Sequence, residues 1–165
     1  MNSKRRLLIL SCSQLKRASH EPLPAIDRYN GPLFFVLRRF LRECPRQARL
    51  LDVYILSAAY GLIPGNFPIV LYDRKMNISR TIELQSQITT AFSGIRLDNY
   101  VSIYFVLGKT YLKAFEDLQD RVPAAAGSIV AYGPMGKKQT QLKKWLWGED
   151  SLTLTERDLD EAGNY

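Results

Sequence analysis

Hydroxyl, thiol and ammonium groups lie close together in the stretch SCSQLK, residues 11–16. Ser11, Ser13 and the backbone N–H groups between them are suited to hold an anion, and Lys16 would supply a positive charge. Cys12 is also a candidate nucleophile, but a nucleophilic thiol needs a base and a lowered pKa. The alternative is a small buried cysteine between ordinary turn serines. We expect Cys12 to be a small buried cysteine and Lys16 to contact an anion.

The stretch SAAYG combines polar, small and aromatic residues directly after a predicted strand. In a pocket wall, the hydroxyl of Ser57 would face a ligand, the two alanines would leave space, and Tyr60 would stack on a base. Gly61 would permit the turn. The structural alternative is that the alanines pack under a neighbouring helix and that Gly61 only turns the chain. We expect a pocket wall.

Asp73, in the stretch LYDRKM, is the carboxylate best placed for catalysis. A carboxylate beside a sugar can activate water or stabilise a transition state that resembles an oxocarbenium ion. The alternatives are a surface aspartate and an aspartate that initiates a helix, and the spacing alone favours these alternatives. The same interpretations apply to Asp27, in the stretch AIDRYNGPLF.

A glycine turn enters a basic helix in the stretch GPMGKKQT. Gly133 and Gly136 would let the backbone approach a phosphate, and Lys137 and Lys138 would add positive charge. The stretch lacks the first glycine of a Walker A motif at the right distance, and its alternative is a simple strand–helix turn. We treat the turn as a candidate phosphate or nucleic-acid contact.

Tyrosines recur beside glycines along the chain. Such a ring at the rim of a pocket can stack on a nucleobase, and the glycine lets the ligand come close. The sequence combines them at four places: Tyr29 near Gly31, Tyr60 beside Gly61, Tyr111 near Gly108, and Tyr132 beside Gly133.

Strands and helices alternate four times in the predicted secondary structure. Strands are predicted at residues 6–12, 52–57, 100–107 and 124–132. Helices are predicted to begin at Gly31-Pro32, at Asn77 or Ser79, at Gly108 and at Gln139. Residues 13–30 and the stretch YGLIPGNFP are expected to be loops. This alternation predicts an α/β fold: a single domain over residues 1–147 whose mainly parallel central sheet of about four strands is flanked by helices.

Ligands bind outside the carboxyl ends of the strands in such a sheet. Four groups of candidate residues directly follow the predicted strands, so we expect them to meet at one rim. The predicted substrate contacts are Ser11, Cys12, Ser13, Lys16, Asp27, Tyr29, Ser57, Tyr60, Gly61, Tyr72, Gly108, Lys109 and Tyr111.

Charge is distributed unevenly along the chain, which carries +7 in total. Residues 147–165 contain six acids and one arginine, which leaves +12 for residues 1–146. A body this basic attracts nucleotides and nucleic acids, although a solvated basic surface explains the same composition. The acidic tail, residues 148–165, is expected either to be disordered or to fold back over the basic face.

The composition argues against several other classes of protein. One histidine and two widely separated cysteines do not have the spacing of a zinc site, and we expect neither a metal nor a cofactor. The apolar runs are shorter than the roughly 20 residues of a membrane span, and the run at residues 7–10 is too short for a signal peptide. We therefore expect a reduced, cytoplasmic protein without a membrane partner.

Six stretches, taken in order, resemble an uncharacterised bacterial and phage family: ILSCSQLK, AIDRYNGPLF, VYILSAAYGLIP, YDRKM, LGKTY and GPMGKKQTQLKKWL. The resemblance covers residues 7–147. That family is in turn distantly similar to the peroxide-stress protein YaaA, whose relatives include uracil-DNA-glycosylase-like folds and domains that accompany deazaguanine-modifying enzymes. The resemblance implies recognition of a nucleobase, a nucleotide or a nucleic acid, with chemistry at a glycosidic bond as one outcome.

Three functional hypotheses remain open. The first is an enzyme that hydrolyses or exchanges an N-glycosidic bond, in which Asp73 stabilises the sugar cation or directs water. The second is a non-catalytic nucleic-acid-binding protein of stress response or phage biology, which uses Arg38, Arg39, Arg42 and residues 137–144. The third is a regulatory module gated by the acidic tail. The expected partner is a nucleotide, a nucleoside or a nucleic acid, and the oligomeric state is left open.

Overall fold

Five strands form the central sheet in the computed structural model, which describes residues 5–122 and 127–148. These strands are β1 (Arg5–Ser11), β3 (Leu51–Ser57), β4 (Gly61–Pro64), β6 (Tyr100–Val106) and β7 (Ser128–Val130). Two further short strands, β2 (Leu23–Pro24) and β5 (Pro68–Ile69), pair with each other. The helices are α1 (Ala25–Arg28), α2 (Pro32–Glu43), α3 (Pro45–Ala48), α4 (Ile78–Ser93), α5 (Lys109–Lys113) and α6 (Met135–Trp147).

The sheet is mainly parallel, as the alternation of strands and helices predicts. Its order is β4-β3-β1-β6-β7, and the pairs β1–β3, β1–β6 and β6–β7 are all parallel. The predicted α/β fold is therefore confirmed. Because the crossovers place helices on both faces, the central strand β1 is buried on both sides and reads as a continuous apolar run, whereas the edge strand β7 is exposed.

Strand β4 corrects the expectation of a loop after β3. It runs antiparallel to β3, with Leu56 opposite Leu62. Gly61 has a φ of 76°, which lets the chain reverse within a few residues. The side chain of Gln87, on α4, bonds the N–H and the carbonyl of Leu62 at 2.8 and 3.0 Å. These contacts hold the edge strand against α4.

Successive side chains of β1 point to opposite faces of the sheet. Leu8 and Leu10 belong to a buried cluster that includes residues of α2 and α6. Leu7 and Ile9 belong to a second cluster, which packs against α4 and α5. All four side chains are fully buried, so helices cover both faces of the central strand.

A buried arginine organises the predicted loop at residues 13–30, which contains β2 and α1. Arg28 has no exposed surface. Its guanidinium group donates to four backbone carbonyls, and the shortest bonds, to Arg17 and Glu21, are 2.7 Å long. These partners offset the cost of burying the charge. The segment is therefore tied to the domain rather than irregular.

Several predicted bounds also shift. Helix α5 is short, and a 3₁₀ helix, Glu116–Arg121, follows it. Helix α6 begins at Met135 instead of residue 139. Of the fourth predicted strand, residues 124–126 lie outside the described residues, as does the acidic tail from residue 149 onward. None of the helices in the described part of the chain combines the length and the apolar character that a membrane span requires.

The chain reverses its direction across the sheet at β1. From β1 it crosses to β3 on one side, and it later returns to β6 on the other side. Helix α2, which follows β1, and α5, which follows β6, pack on opposite faces. The carboxyl ends of β1 and β6 therefore frame a crevice, the topological switch point, where open α/β sheets bind ligands.

Candidate ligand-binding site

A cavity of about 430 Å³ opens at the switch point, and we call it the switch-point cavity. Its size falls within the range of small-molecule sites. Apolar side chains form much of its wall, among them Leu15, Leu33, Phe34, Val106, Leu107 and Met135. Six of the residues predicted from the sequence also line it: Ser11, Cys12, Ser13, Gly108, Tyr111 and Lys138.

Three helices begin at the switch-point cavity. Pro32 opens α2, Gly108 precedes α5 and Met135 opens α6, and all three residues line the cavity. The first N–H groups of a helix lack partners within that helix, and the dipole of a long helix makes this end positive. This applies to α6, which has 13 residues, whereas Pro32 of α2 has no N–H group and α5 has only five residues. The ammonium group of Lys138, which bonds the carbonyl of Leu107 at 3.2 Å, adds a full charge. The cavity therefore suits an apolar ring that carries polar or anionic groups.

A second cavity, of about 280 Å³, adjoins the first. We call it the cationic cavity. Four residues, Cys12, Ser13, Gln14 and Tyr111, line both cavities. The rest of its wall consists of Lys16, Arg74, Lys75 and Met76. Lys16, the predicted anion contact, therefore lies in this second compartment.

Behind the cavities, three side chains form what we call the buried hydroxyl cluster. Tyr29 Oη donates to Ser57 Oγ at 2.9 Å and lies 2.7 Å from Tyr72 Oη, which is 3.1 Å from Ser57 Oγ. Tyr29 and Ser57 have no exposed surface. In the structure both side chains support the site from within the core, and the stacking by Tyr29 and the ligand contact of Ser57 stay predictions.

Cys12 lies between the buried hydroxyl cluster and the cavities. Its Sγ is 3.1 Å from Tyr111 Oη. Burial raises the pKa of Tyr29, Tyr72 and Tyr111, and the neighbouring Cys12 raises the pKa of each further. These phenols therefore stay protonated at neutral pH and remain hydrogen-bond donors. His20 is the only histidine of the chain, and it makes no hydrogen bond to Cys12, which favours the structural interpretation of the thiol.

The stretch SAAYG forms the turn between β3 and β4. Ser57 Oγ accepts bonds from the N–H groups of Ala59 and Tyr60 at 3.2 and 3.1 Å. The guanidinium group of Arg80 donates to the carbonyls of Ala58 and Ala59 at 2.7 and 2.9 Å. These bonds satisfy backbone groups of the turn. Tyr60 and Gly61 line neither cavity, so their ligand contacts stay predictions.

Both predicted carboxylates lie outside the two cavities. Asp73 is exposed and lines neither cavity, although the next three residues along the chain line the cationic cavity. Asp27 is half-buried on α1 and also lines neither. The catalytic role of Asp73 therefore stays a prediction that would require the ligand to extend beyond the cavity wall.

The predicted phosphate turn lies beside the switch-point cavity. Gly133 has a φ of 88°, which the turn into α6 requires. The ammonium group of Lys137 lies 4.6 Å from the centroid of the Tyr132 ring. Of this turn, Lys138 and Met135 line the cavity, whereas Gly133, Gly136 and Lys137 do not. Lys109, at the start of α5, is exposed and lines neither cavity.

Sequence reasoning missed Gln14, Leu15 and Met135 in the switch-point cavity and Arg74 and Lys75 in the cationic cavity. All five lie inside or beside quoted stretches, so position along the chain was the available signal. Within the described ranges, no group of three or more histidine, cysteine, aspartate or glutamate side chains is placed to hold a metal ion.

Comparison with known proteins assigns the chain to a family without assigning a function. The model of a family of unknown function, DUF6884, matches residues 7–145, from β1 into α6. No curated protein and no solved structure matches the chain. The resemblance to YaaA and to uracil-DNA-glycosylase-like folds stays a prediction. Because the matched region covers most of the chain, the protein belongs to the family of unknown function DUF6884.

Proposed function

We propose that the protein recognises a nucleobase-containing ligand in the switch-point cavity. The observation that carries the proposal is the position of this cavity, where apolar walls, three helix starts and Lys138 meet at the carboxyl ends of β1 and β6. A heterocycle would pack against apolar side chains such as Leu33 and Leu107. Its polar edge would face Ser11, Tyr111 and the backbone N–H groups.

As an enzyme, the protein would hydrolyse or exchange the N-glycosidic bond of this ligand. Asp73 is the carboxylate proposed to stabilise the sugar cation or to direct water. Its support is the path of the chain, because Arg74, Lys75 and Met76 line the cationic cavity directly after it. An exposed carboxylate at this position would meet only a sugar that extends out of the cavity.

The alternative is non-catalytic nucleic-acid binding, and two exposed rings favour it. Tyr132 is 64% exposed beneath the ammonium group of Lys137, and Phe35 is 54% exposed beneath the guanidinium group of Arg38. An exposed ring beside a cation suits base stacking with a phosphate contact. Arg38, however, already donates to the carbonyl of Tyr29 at 2.7 Å. On the α2 surface that the nucleic-acid hypothesis uses, the positive charge of Arg38 is therefore less available to a phosphate than the sequence suggests.

A ligand screen tests the proposal. The protein would be titrated by calorimetry with free bases, nucleosides, nucleotides and short oligonucleotides, and released base would be detected by chromatography. We expect at least one nucleobase-containing compound to bind more tightly than ribose 5-phosphate, the control without a base. Absence of binding across the panel, or equal binding of the control, would contradict the proposal.

The variant Asp73→Asn separates the enzymatic form from simple binding. Its exposed position makes a folding defect unexpected. Loss of base release with unchanged affinity is the expected result for a catalytic carboxylate, and equal loss of both would reject that role.

For the nucleic-acid alternative, the slope of log affinity against log salt should count the phosphates that the protein neutralises.

A further inference from the structure

The cationic cavity is a separate compartment that shares one wall with the switch-point cavity. Cys12 and Tyr111 both belong to that wall, and Cys12 Sγ and Tyr111 Oη lie 3.1 Å apart. A ligand that occupied both compartments would pass over this pair. The two cavities differ in chemistry, because the first is walled mainly by apolar side chains and the second largely by polar and charged ones.

The cationic cavity carries positive charge without an acid in its wall. Lys16, Arg74 and Lys75 line it, and none of the described residues that line it is acidic. Arg74 pairs with Glu83 at 3.1 Å, but the same carboxylate oxygen is bound by Arg80 at 2.8 Å. One carboxylate is thus shared by two arginines. Within the described residues, Lys16 and Lys75 form no ion pair.

Lys16 is held in position by the buried hydroxyl cluster. Its ammonium nitrogen lies 4.4 Å from the centroid of the Tyr72 ring and bonds the carbonyl of Gln14 at 3.2 Å. Its backbone forms an isolated antiparallel bridge with Tyr29, which is fully buried. The charge is therefore placed before a ligand arrives, which lowers the entropy lost on binding.

We infer that the cationic cavity takes the phosphate of the ligand whose nucleobase occupies the switch-point cavity, so that the substrate class is a phosphorylated nucleoside. This inference rests on the proposed function. Lys16 and Lys75, which form no ion pair within the described residues, and Arg74, which shares Glu83 with Arg80, favour a group with more than one negative charge. A phosphate monoester carries about −1.5 to −2 at pH 7. The sugar would then lie over Cys12 and Tyr111, between the two compartments. In this placement the sugar does not extend out of the cavities, so the inference rests on ligand recognition and not on the catalytic role proposed for Asp73.

A matched pair of ligands tests the inference: a nucleoside that binds and its 5′-monophosphate, titrated by calorimetry. We expect the monophosphate to bind about tenfold more tightly, the gain of one or two charge-assisted contacts. Lys75→Ala should remove most of that gain and leave the nucleoside affinity unchanged. Lys113→Ala is the control, because Lys113 is an exposed lysine that lines neither cavity. Equal affinities for both ligands, or a gain that persists in Lys75→Ala, would overturn the inference.

A second probe separates failure of this inference from failure of the proposed function. Inorganic pyrophosphate would be titrated into the wild type, Lys75→Ala and Lys113→Ala. If no nucleobase-containing compound binds more tightly than ribose 5-phosphate but pyrophosphate binding depends on Lys75, the proposed function fails and the phosphate site stands. If, in addition, pyrophosphate does not bind or its binding does not depend on Lys75, both the proposed function and the phosphate site fail.

The phosphate can come from a free nucleotide or from a nucleic-acid strand, and a third ligand distinguishes these sources. A short single-stranded oligonucleotide would be compared with the monophosphate. If the oligonucleotide binds more tightly than the monophosphate and Lys75→Ala weakens that binding, the site is assigned to a phosphodiester strand. Tighter binding of the monophosphate assigns it to a free nucleotide.

Discussion

The two ends of the central sheet satisfy their polar groups in different ways. At the amino end, Asp52 accepts bonds of 3.1 and 2.5 Å from Arg5 and one of 2.8 Å from Tyr100. A cavity of about 470 Å³ lies there, lined in part by Asp52 and Tyr100. At the carboxyl end, hydroxyl groups and a thiol bond one another, while Lys16 and Lys75 face the cationic cavity without a carboxylate partner among the described residues.

This contrast shows why cavity volume does not identify the site. The amino-end cavity is about as large as the switch-point cavity, but its carboxylate, Asp52, is already paired with Arg5. The carboxyl-end cavities combine helix starts with cations that no acid in their walls neutralises. Charges that are paired internally stabilise the fold, whereas charges left facing a cavity are available to a ligand.

Removal of the buried ring at the carboxyl end is expected to have the largest effect. Tyr29 is fully buried and packs against Phe34, with ring centroids 5.4 Å apart. Tyr29→Ala should therefore lower the free energy of unfolding by about 3–5 kcal/mol, measured by urea denaturation. Tyr29→Phe keeps the ring and should cost only about 1 kcal/mol. Similar costs for the two variants would mean that the hydroxyl, rather than the packing, holds this end together.

Alkaline pH should weaken both ends through their tyrosines. Burial, the main cause, raises the pKa of Tyr29 and Tyr72 at one end and of Tyr100 at the other, and it raises the pKa of Tyr104, within the sheet, to about 12. Because the folded state holds these protons more tightly than the unfolded state, stability is fully present below pH 10 and falls as the pH rises above it. Tyr104 alone should cost about 1.4 kcal/mol at pH 11.

Urea denaturation at pH 9 and pH 11 measures this loss. The variant Tyr104→Phe serves as the control, since it lacks the phenol and should show a smaller difference between the two pH values. A stability that does not change between pH 9 and pH 11 would contradict the burial of these phenols.

Disruption of the amino-end ion pair should have a modest effect on stability and none on ligand binding. The side chains of Arg5 and Asp52 are 37% and 33% exposed, so solvent screens the pair. Asp52→Ala should cost about 1 kcal/mol in thermal or urea unfolding. Asp117→Ala, at an exposed position, is the matched control. A loss of nucleotide affinity in Asp52→Ala alone would move the site to the amino end.

Replacement of the thiol should have the smallest effect. Cys12→Ser keeps a small polar group 3.1 Å from Tyr111 and should change the free energy of unfolding by less than about 1 kcal/mol. If the thiol is structural, any base-releasing activity should persist in this variant. Abolished turnover with intact binding would instead identify Cys12 as a nucleophile. Turnover measured in both Cys12→Ser and Asp73→Asn therefore decides which of the two residues is catalytic.

The parts of the fold that follow a regular pattern could be predicted from the sequence. The apolar run at residues 6–12 and the helix start at Gly31-Pro32 predicted elements that the structure contains. Placement of the candidate residues at strand ends led to six residues of the switch-point cavity. Both results depend on local periodicity and on a general rule for parallel sheets.

The rest of the fold and of the candidate site depends on contacts between residues that are far apart in the sequence, and a local sequence pattern does not show such contacts. Strand β4 exists because Gly61 reverses the chain and Gln87, on α4, bonds Leu62. Arg28 appears in the sequence as one more basic residue, yet its guanidinium group ties together four carbonyls. The carboxylate at Asp73 had the right chemistry, but only the coordinates show that it lies outside both cavities.

The most direct test of the account is to fill the switch-point cavity. Leu15 lines its mouth and is 66% exposed, so Leu15→Trp should block the cavity without disturbing the core. Leu50→Trp, at a 40% exposed position beside the amino end of β3, is the matched control. We expect Leu15→Trp to lose affinity for the nucleobase-containing ligand and Leu50→Trp to bind as the wild type does. Wild-type affinity in Leu15→Trp would contradict the placement of the ligand at the switch point.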